Sequence, residues 1–348
     1  MPPKRSKAPP PTVYDPAADI ARLRAHAAGA KLKLEGDDGL PNSVHLVGDD
    51  EPLALQAALV TRRPLLLRGK PGVGKSQVAR AAAVMLERAL VIETVDASTE
   101  TADLRYRVDA VRRLATAQLR RDVAPPAEVT PEADPLHLMH FVQPGALWWA
   151  YDWAGAEALS KHGDGCGRWR DGSRKNGVVV LIDEIDKADP AVPNALLDVL
   201  ANGGFDDPAH RRICARDGAP PPLVIITTNE ERALPDAFLR RCLVLHLDLP
   251  TDLAKLRPHL RDRAKLHFPS LQNSVLEAAV DRLVDARAQA AQEGANAPGL
   301  AELVDLLRAV TELAQTQAER LEMVRSVQRL AFYKHRAQFG GAEGGGAP

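Results

Sequence analysis

Aromatic residues are scarce in this chain. They make up 4% of its 348 residues, so any place where several gather needs an explanation. Cysteine is scarcer still: Cys166, Cys214 and Cys242 are scattered, which argues against a disulfide framework and suits a reducing, cytoplasmic setting. No apolar run reaches the roughly 18 residues a membrane helix needs, so no membrane insertion is expected. The stretch from Met1 to Pro11 is basic and Pro-rich and lacks the apolar segment of a secretory signal. Net charge is nearly absent as well, with 45 Lys and Arg against 46 Asp and Glu. That balance gives no general drive towards nucleic acid or an anionic membrane. No internal repeat is visible. What the chain does have is 45% hydrophobic and 26% charged residues, the composition of a globular protein long enough for two domains or so.

The most informative stretch runs from Pro64 to Ser76. The apolar run Leu65-Leu66-Leu67 reads as a buried strand, and the turn after it, Gly69-Lys70-Pro71-Gly72-Val73-Gly74-Lys75-Ser76, fits the phosphate-binding pattern G-x-x-x-x-G-K-[ST]. Gly72 and Gly74 let backbone N–H groups curl around a polyphosphate. The helix expected from Lys75 turns its positive dipole end to the same phosphates. Lys75 adds a full charge, and the Ser76 hydroxyl is placed to hold Mg²⁺. Pro71, Val73 and Gln77 complete this expected nucleotide-binding segment.

Two further apolar runs end in polar residues. Val178 to Ile182 reads as a strand buried on both faces and delivers Asp183 and Glu184. Carboxylates at the end of such a strand are costly unless they face a ligand. Beside a P-loop, Asp183 is suited to hold Mg²⁺ and Glu184 to polarise an attacking water. Leu223 to Thr228 is a third such strand, and Asn229 at its end is placed to orient the water opposite Glu184. Strands are also expected at Leu90–Val95 and Leu243–Leu249, with a hairpin at Gly203–Ile213. Helices are expected at Ile20–Leu34, Pro52–Val60, Asp103–Arg121 and Asp189–Leu200, and then at Leu253–His267, Val275–Ala291, Leu300–Thr316 and Arg320–Phe339. Alternating strands and helices followed by helices alone predict a parallel α/β sheet and a second, all-helical domain.

Four features stay outside that frame. Residues 1–15 read as disordered, with Lys4, Arg5 and Lys7 solvated. Arg105, Arg107, Arg112, Arg113, Arg120 and Arg121 make the expected Asp103–Arg121 helix basic. Without interleaved aromatics it reads as a solvated face or subunit contact rather than a nucleic-acid surface. Trp148, Trp149 and Trp153 fall within six residues, which fits either a core patch or an exposed face gripping a partner. His137, His140, His162 and Cys166 have tolerable zinc spacing, but no CxxC pair supports a metal site.

Taken together, the Gly69–Ser76 loop, Asp183-Glu184, Asn229 and the segment Leu234-Pro235-Asp236-Ala237-Phe238-Leu239-Arg240-Arg241 resemble the core of AAA+ ATPases, over roughly residues 39 to 340. Gln143-Pro144-Gly145-Ala146-Leu147 and the Leu234–Arg241 box are similar to the MoxR group, whose members carry a helix-2 insert. The resemblance implies an αβα P-loop NTPase core with a small helical lid, ATP and Mg²⁺ as cofactors, and a ring oligomer, expected as a hexamer. It implies a protein client, and MoxR relatives often act with von Willebrand A-domain proteins. It places Val47 and Gly48 near the adenine, makes Asn229 the first sensor, and makes Arg241 an arginine finger; Arg240 stands in place of the usual Asp, so either arginine can fill that role. The lid position where relatives carry a sensing arginine reads Ala297-Pro298-Gly299-Leu300, with no basic residue. The expected division is a tail with a short helix at 1–38, a nucleotide-binding core at 39–250 with its insert near 139–160, a lid at 251–340 and a Gly-rich tail at 341–348. The alternative from another class is a nucleic-acid-directed motor akin to restriction GTPases. The charge balance and the lack of an N-K-x-D guanine motif weigh against it.

Overall fold

Continuous apolar runs without a helical period satisfy their backbone groups most readily as strands inside a sheet covered on both sides. In the computed structural model of this chain those runs form the centre of the molecule. The structure describes residues 14–36, 42–119, 134–160, 168–170, 174–216 and 218–333. The basic start through residue 13, the acid-rich stretch 120–133 with Arg120 and Arg121, His162, Cys166 and the Gly-rich end from 334 lie outside the described residues.

Helix α1 (Ala17–Arg24) leads to strands β1 (Lys31–Leu34) and β2 (Ser43–Leu46), which pair antiparallel. Helix α2 (Glu51–Thr61), strand β3 (Leu65–Arg68), helix α3 (Lys75–Leu86) and strand β4 (Ala89–Thr94) follow. An excursion then comprises β5 (Tyr106–Val108), α4 (Ala110–Leu119), β6 (Val142–Pro144), α5 (Ala146–Tyr151) and α6 (Trp153–Ser160), with β5 and β6 antiparallel. The chain returns through β7 (Arg168–Arg170), β8 (Val178–Asp183), α7 (Ala191–Ala201) and the hairpin β9 (Gly204–Asp206) and β10 (Arg212–Cys214). Strand β11 (Leu223–Thr228), helix α8 (Asp236–Leu239) and strand β12 (Leu243–His246) complete the α/β part. Helices α9 (Leu253–His267), α10 (Asn273–Glu293), α11 (Leu300–Leu313) and α12 (Gln317–Ala331) form the C-terminal helical region.

The main sheet runs in the order β12-β3-β11-β8-β4-β7. Its first five strands are parallel and β7 lies antiparallel on the β4 edge. Alternate side chains feed separate cores, as the period of two requires. Leu66, Val91, Val180, Ile182, Val224 and Ile226 face one core. Leu65, Leu67, Leu90, Val179, Leu181 and Ile225 face the other. A third core, built around Leu260, Leu276, Leu283, Leu303, Leu306 and Val310, belongs to α9–α12. All five parallel strands therefore end on the same side, and that edge carries Arg68, Asp183 and Thr228.

Two expected helices are corrected. The helix expected over Ile20–Leu34 stops at Arg24, and Lys31-Leu32-Lys33-Leu34 is a strand with strict exposed–buried alternation. Gly29, with φ +81°, turns the chain between them. Leu23, Leu32 and Leu34 join the core beneath β3 and α3, so this segment packs with the sheet rather than standing apart as a tail. The helix expected over Asp103–Arg121 begins only at Ala110. Tyr106–Val108 is a strand because it pairs with Val142–Pro144. The apolar residues of this stretch form no single packing face: Val111 is 80% exposed while Leu104 is buried in the core. The basic character of this stretch is partly used internally. Arg107 pairs with Glu93 and Asp103, Arg112 donates to the His140 carbonyl, and Arg113 donates to that of Leu136.

The tryptophans resolve as core. Trp148 and Trp149 are each 1% exposed. Trp148 meets Tyr106 and Phe205 edge-on at 6.2 and 5.9 Å, and Trp149 meets Trp153 edge-on at 5.0 Å. Such contacts add to the burial of the rings themselves. They anchor the excursion to the sheet face, so Trp148→Ala is expected to cost about 3–5 kcal/mol of stability. Chemical denaturation measures this. A loss below about 0.5 kcal/mol, the level of an ordinary surface substitution, would place the ring outside the core.

Candidate active site

The loop after β3 needs backbone angles that a side chain disfavours. Gly72 (φ +79°) and Gly74 (φ +100°) both lie in the left-handed region, and a Cβ on Gly72 would sit 3.2 Å from the Cβ of Ala301. Gly74 ends the loop and α3 begins at Lys75, leaving the free N–H groups of its first turn at the loop.

Lys75 is 6% exposed. Its Nζ donates to the carbonyls of Gly69 (2.6 Å) and Lys70 (3.0 Å) and to Asn229 Oδ1 (2.7 Å). Burial lowers its pKa, and the carboxylates of Asp183, Asp186, Glu184 and Glu230 oppose that shift. Ser76 Oγ lies 3.1 and 3.0 Å from the two Asp183 oxygens and donates to that carboxylate. Thr227 Oγ1 donates to Asp183 Oδ1 (2.5 Å) and accepts the Glu184 N–H (2.9 Å). Glu184 itself stands in the left-handed conformation, φ +61°. Asn229 Nδ2 donates to its Oε1 (3.0 Å) and Lys187 Nζ to its Oε2 (2.5 Å).

A cavity of about 420 Å³ holds these groups together. One wall is the P-loop with Lys75, Ser76, Gln77, Asp183, Glu184, Thr227 and Asn229. The opposite wall is the face of α11 bearing Leu300, Ala301, Val304, Asp305 and Arg308, together with His267 of α9. The first turn of α11 rests on the P-loop, where the Ala301 N–H meets the Gly72 carbonyl at 3.3 Å. A larger cavity, about 570 Å³, lies at the other end of the sheet, near Pro64 and Leu223, and contains none of these groups.

The structure thus gathers the expected Pro71, Gly72, Gly74, Lys75, Ser76, Gln77, Asp183, Glu184 and Asn229 around one cleft, with the Gly69 carbonyl on Lys75. Val73 lines a smaller adjoining cavity of about 90 Å³, as do Val44, His45, Leu46 and Glu51. Val47 and Gly48 line neither cavity; Val47 is buried in the core. Arg240 and Arg241 lie outside the cleft of their own chain, and both are exposed. His137 and His140 stack their rings edge-on.

Three groups at the site go beyond the sequence expectations. Thr227 has a signal, as one of two threonines ending an otherwise apolar strand. Arg308 follows Leu300 and Val304 at a spacing of four, so the α11 face points to it. It supplies a cation from the C-terminal helical region, two turns beyond the position where the sequence shows none. Asp186, 3% exposed, accepts the N–H groups of Asn229 (3.3 Å) and Glu231 (3.0 Å); a turn acid of this kind gives little sequence signal.

A five-stranded parallel sheet with helices on both faces, a P-loop between its first parallel strand and helix, and acidic and amide residues at two neighbouring strand ends define the AAA+ P-loop NTPase fold. The chain belongs to the family described as AAA domain (dynein-related subfamily), whose model matches residues 64–264, more than half of it. No curated protein matches the chain. Among solved structures, it is similar to a mutant of Thermotoga maritima RuvB at TM-score 0.42 and 16% identity, covering 79% of this chain and 67% of that one. It is similar to the Thermotoga maritima RuvB Holliday junction branch migration motor at TM-score 0.41 and 14% identity, covering 80% and 67%.

Asp186 offers a direct check on how the Asn229 loop is held. Asp186→Ala leaves two backbone N–H groups without their acceptor, each a loss of about 1–3 kcal/mol when the group stays buried. The expected result is a destabilisation of that order in chemical denaturation. Unchanged stability would mean that the loop finds other partners.

Proposed function

We propose that this chain is a Mg²⁺-dependent ATPase of the MoxR type within AAA+, working as a ring, expected as a hexamer, to switch or remodel a protein partner in the cytoplasm. The observation that carries the reading is the bonded series Lys75–Asn229–Glu184 beside Ser76–Asp183, all facing one cleft behind a P-loop. In this reading Lys75 transfers its ammonium from carbonyl oxygens to the phosphates. Glu184 and Asn229 hold the attacking water. The water oxygen bonds to the γ-phosphorus as the bond from phosphorus to the bridging oxygen breaks, its electron pair leaving with ADP. Glu184 takes the water proton and returns it to solvent or phosphate, so the net reaction is ATP and water to ADP and phosphate. Ser76 Oγ and Asp183 are hard oxygen donors, and their small number fits Mg²⁺, which keeps several water and phosphate ligands. When bound there, the metal supplies charge neutralisation at the phosphate oxygens.

The proposed division keeps the core to Pro250, with its insert near 139–160, and the lid from Thr251 to about residue 340. The Leu234–Arg241 box supports the MoxR-type reading, and a von Willebrand A-domain protein is the client class this implies. Among the described residues, no helix is long and apolar enough to cross a membrane.

Lys75→Ala is expected to lose nucleotide binding, whereas Glu184→Gln is expected to bind ATP and hydrolyse it far more slowly. Binding of a fluorescent ATP analogue and phosphate release measure the two effects. Wild-type turnover in Glu184→Gln would remove the role given to that residue.

Arg241 is the proposed finger in trans. A cation inserted at the γ-phosphate is worth roughly 10³–10⁵ in rate, and Arg241 is exposed, away from its own cleft. Mixing inactive Arg241→Ala and Lys75→Ala proteins should therefore restore ATPase activity at interfaces where an intact P-loop faces an intact arginine. No recovery at any ratio, with mixed assembly seen by light scattering, would exclude a trans finger at this position.

A further inference from the structure

Glu184 is held at three points. Its backbone is fixed in the left-handed region, its N–H is bonded to Thr227, and its two carboxylate oxygens are each taken by a different donor. Those two donors differ in what else they touch. Asn229 is shared with Lys75, which any bound phosphate competes for. Lys187 does not line the cleft. It sits on the 3-10 turn Ile185–Lys187, whose backbone is tied down on both sides. The Lys187 N–H donates to the Glu184 carbonyl at 3.0 Å, the Lys187 carbonyl accepts from Arg232 at 3.4 Å, and neighbouring Asp186 clamps the Asn229 loop. The ammonium is kept charged by its hydrogen bond and charge contact with Glu184, with further help from Glu231 and Asp186.

We propose that Lys187 is a positioning residue for hydrolysis: by fixing Glu184 Oε2 from outside the cleft, it leaves Oε1, on the Asn229 side, as the oxygen presented to the attacking water. This rests on the reading of Glu184 given above. An ion pair that is partly exposed adds little to stability, so its value here lies in orientation. A carboxylate bonded only to Asn229 keeps a broader range about its terminal torsion, and misplacing a reacting group by about 1 Å costs up to roughly 100-fold in rate.

The test compares wild type, Glu184→Gln, Lys187→Ala and Lys187→Arg in steady-state ATP hydrolysis with Mg²⁺. Binding of a fluorescent ATP analogue and thermal melting are measured on the same proteins. Lys187→Ala should lower kcat between about 10- and 100-fold while leaving nucleotide affinity and melting temperature unchanged. Lys187→Arg, which keeps the charge and a donor, should recover most of the rate. Full or increased kcat in Lys187→Ala, with Glu184→Gln inactive, overturns the role of Lys187 alone. So does an equal loss in Lys187→Arg, or a loss of nucleotide binding or melting temperature that accounts for the fall. A wild type that hydrolyses no ATP, or an active Glu184→Gln, removes the assignment of Glu184 and the inference with it.

Discussion

Burial of one ammonium group constrains everything at the top of the sheet. Lys75 follows a loop of reversed backbone angles and opens a helix whose first turn already carries positive charge, and its side chain is almost wholly removed from water. A cation so placed is costly unless oxygens surround it. Two of its oxygens come from the loop that presents it, and the third comes from Asn229 just past the end of β11. That third bond joins the P-loop to a residue 154 positions further along the chain. The two meet because β3 and β11 are neighbours in the sheet. The loop conformation, the strand order and the side chain of Asn229 therefore support one another.

Thr227 and Asp183 extend the same logic sideways. Strands β8 and β11 are paired in register, so residues at their ends stand within hydrogen-bond reach. Thr227 is 0% exposed, and its hydroxyl serves as donor to Asp183 and acceptor for the Glu184 N–H. Asp183 thereby keeps a fixed angle to Ser76, and Glu184 is held in a backbone conformation that non-glycine residues rarely adopt. Such strain persists only where its surroundings over-determine it. Here they do so through bonds from the turn at Ile185–Lys187 and from the loop at Asn229–Glu231.

What the sequence reveals follows from how local each signal is. Strands β3, β8 and β11 are legible because burial on both faces leaves continuous apolar runs, and the polar residues closing β8 and β11 have no reason to be there without a ligand. Strands β1 and β5 are hidden for different reasons. The alternation in Lys31–Leu34 is only four residues long and follows a helical stripe, whereas Tyr106–Val108 becomes a strand only by pairing with Val142–Pro144 beyond α4. Composition exposes the tryptophan cluster but not its direction. That is set by Tyr106 and Phe205, which arrive from separate segments. Arg308 is harder to find because it stands two turns beyond the start of α11, although its helical face is written in Leu300 and Val304.

The position of α11 bears on how such a cleft can respond to its contents. Its first turn touches Gly72 directly, and its apolar residues Leu303, Leu306, Leu307 and Val310 pack into the helical core. One helix is thus anchored in the helical region and seated on the P-loop. On the other wall, the Asn229 loop runs without interruption through Arg232, bonded to the Lys187 carbonyl, into α8 and on to the exposed Arg240 and Arg241. Both walls therefore lead away from the P-loop, one to the helical region and one to the arginines. A ligand that bonds differently to Lys75, Asn229 and Arg308 acts on both walls at once, which is the differential contact that any ligand-driven change of shape requires.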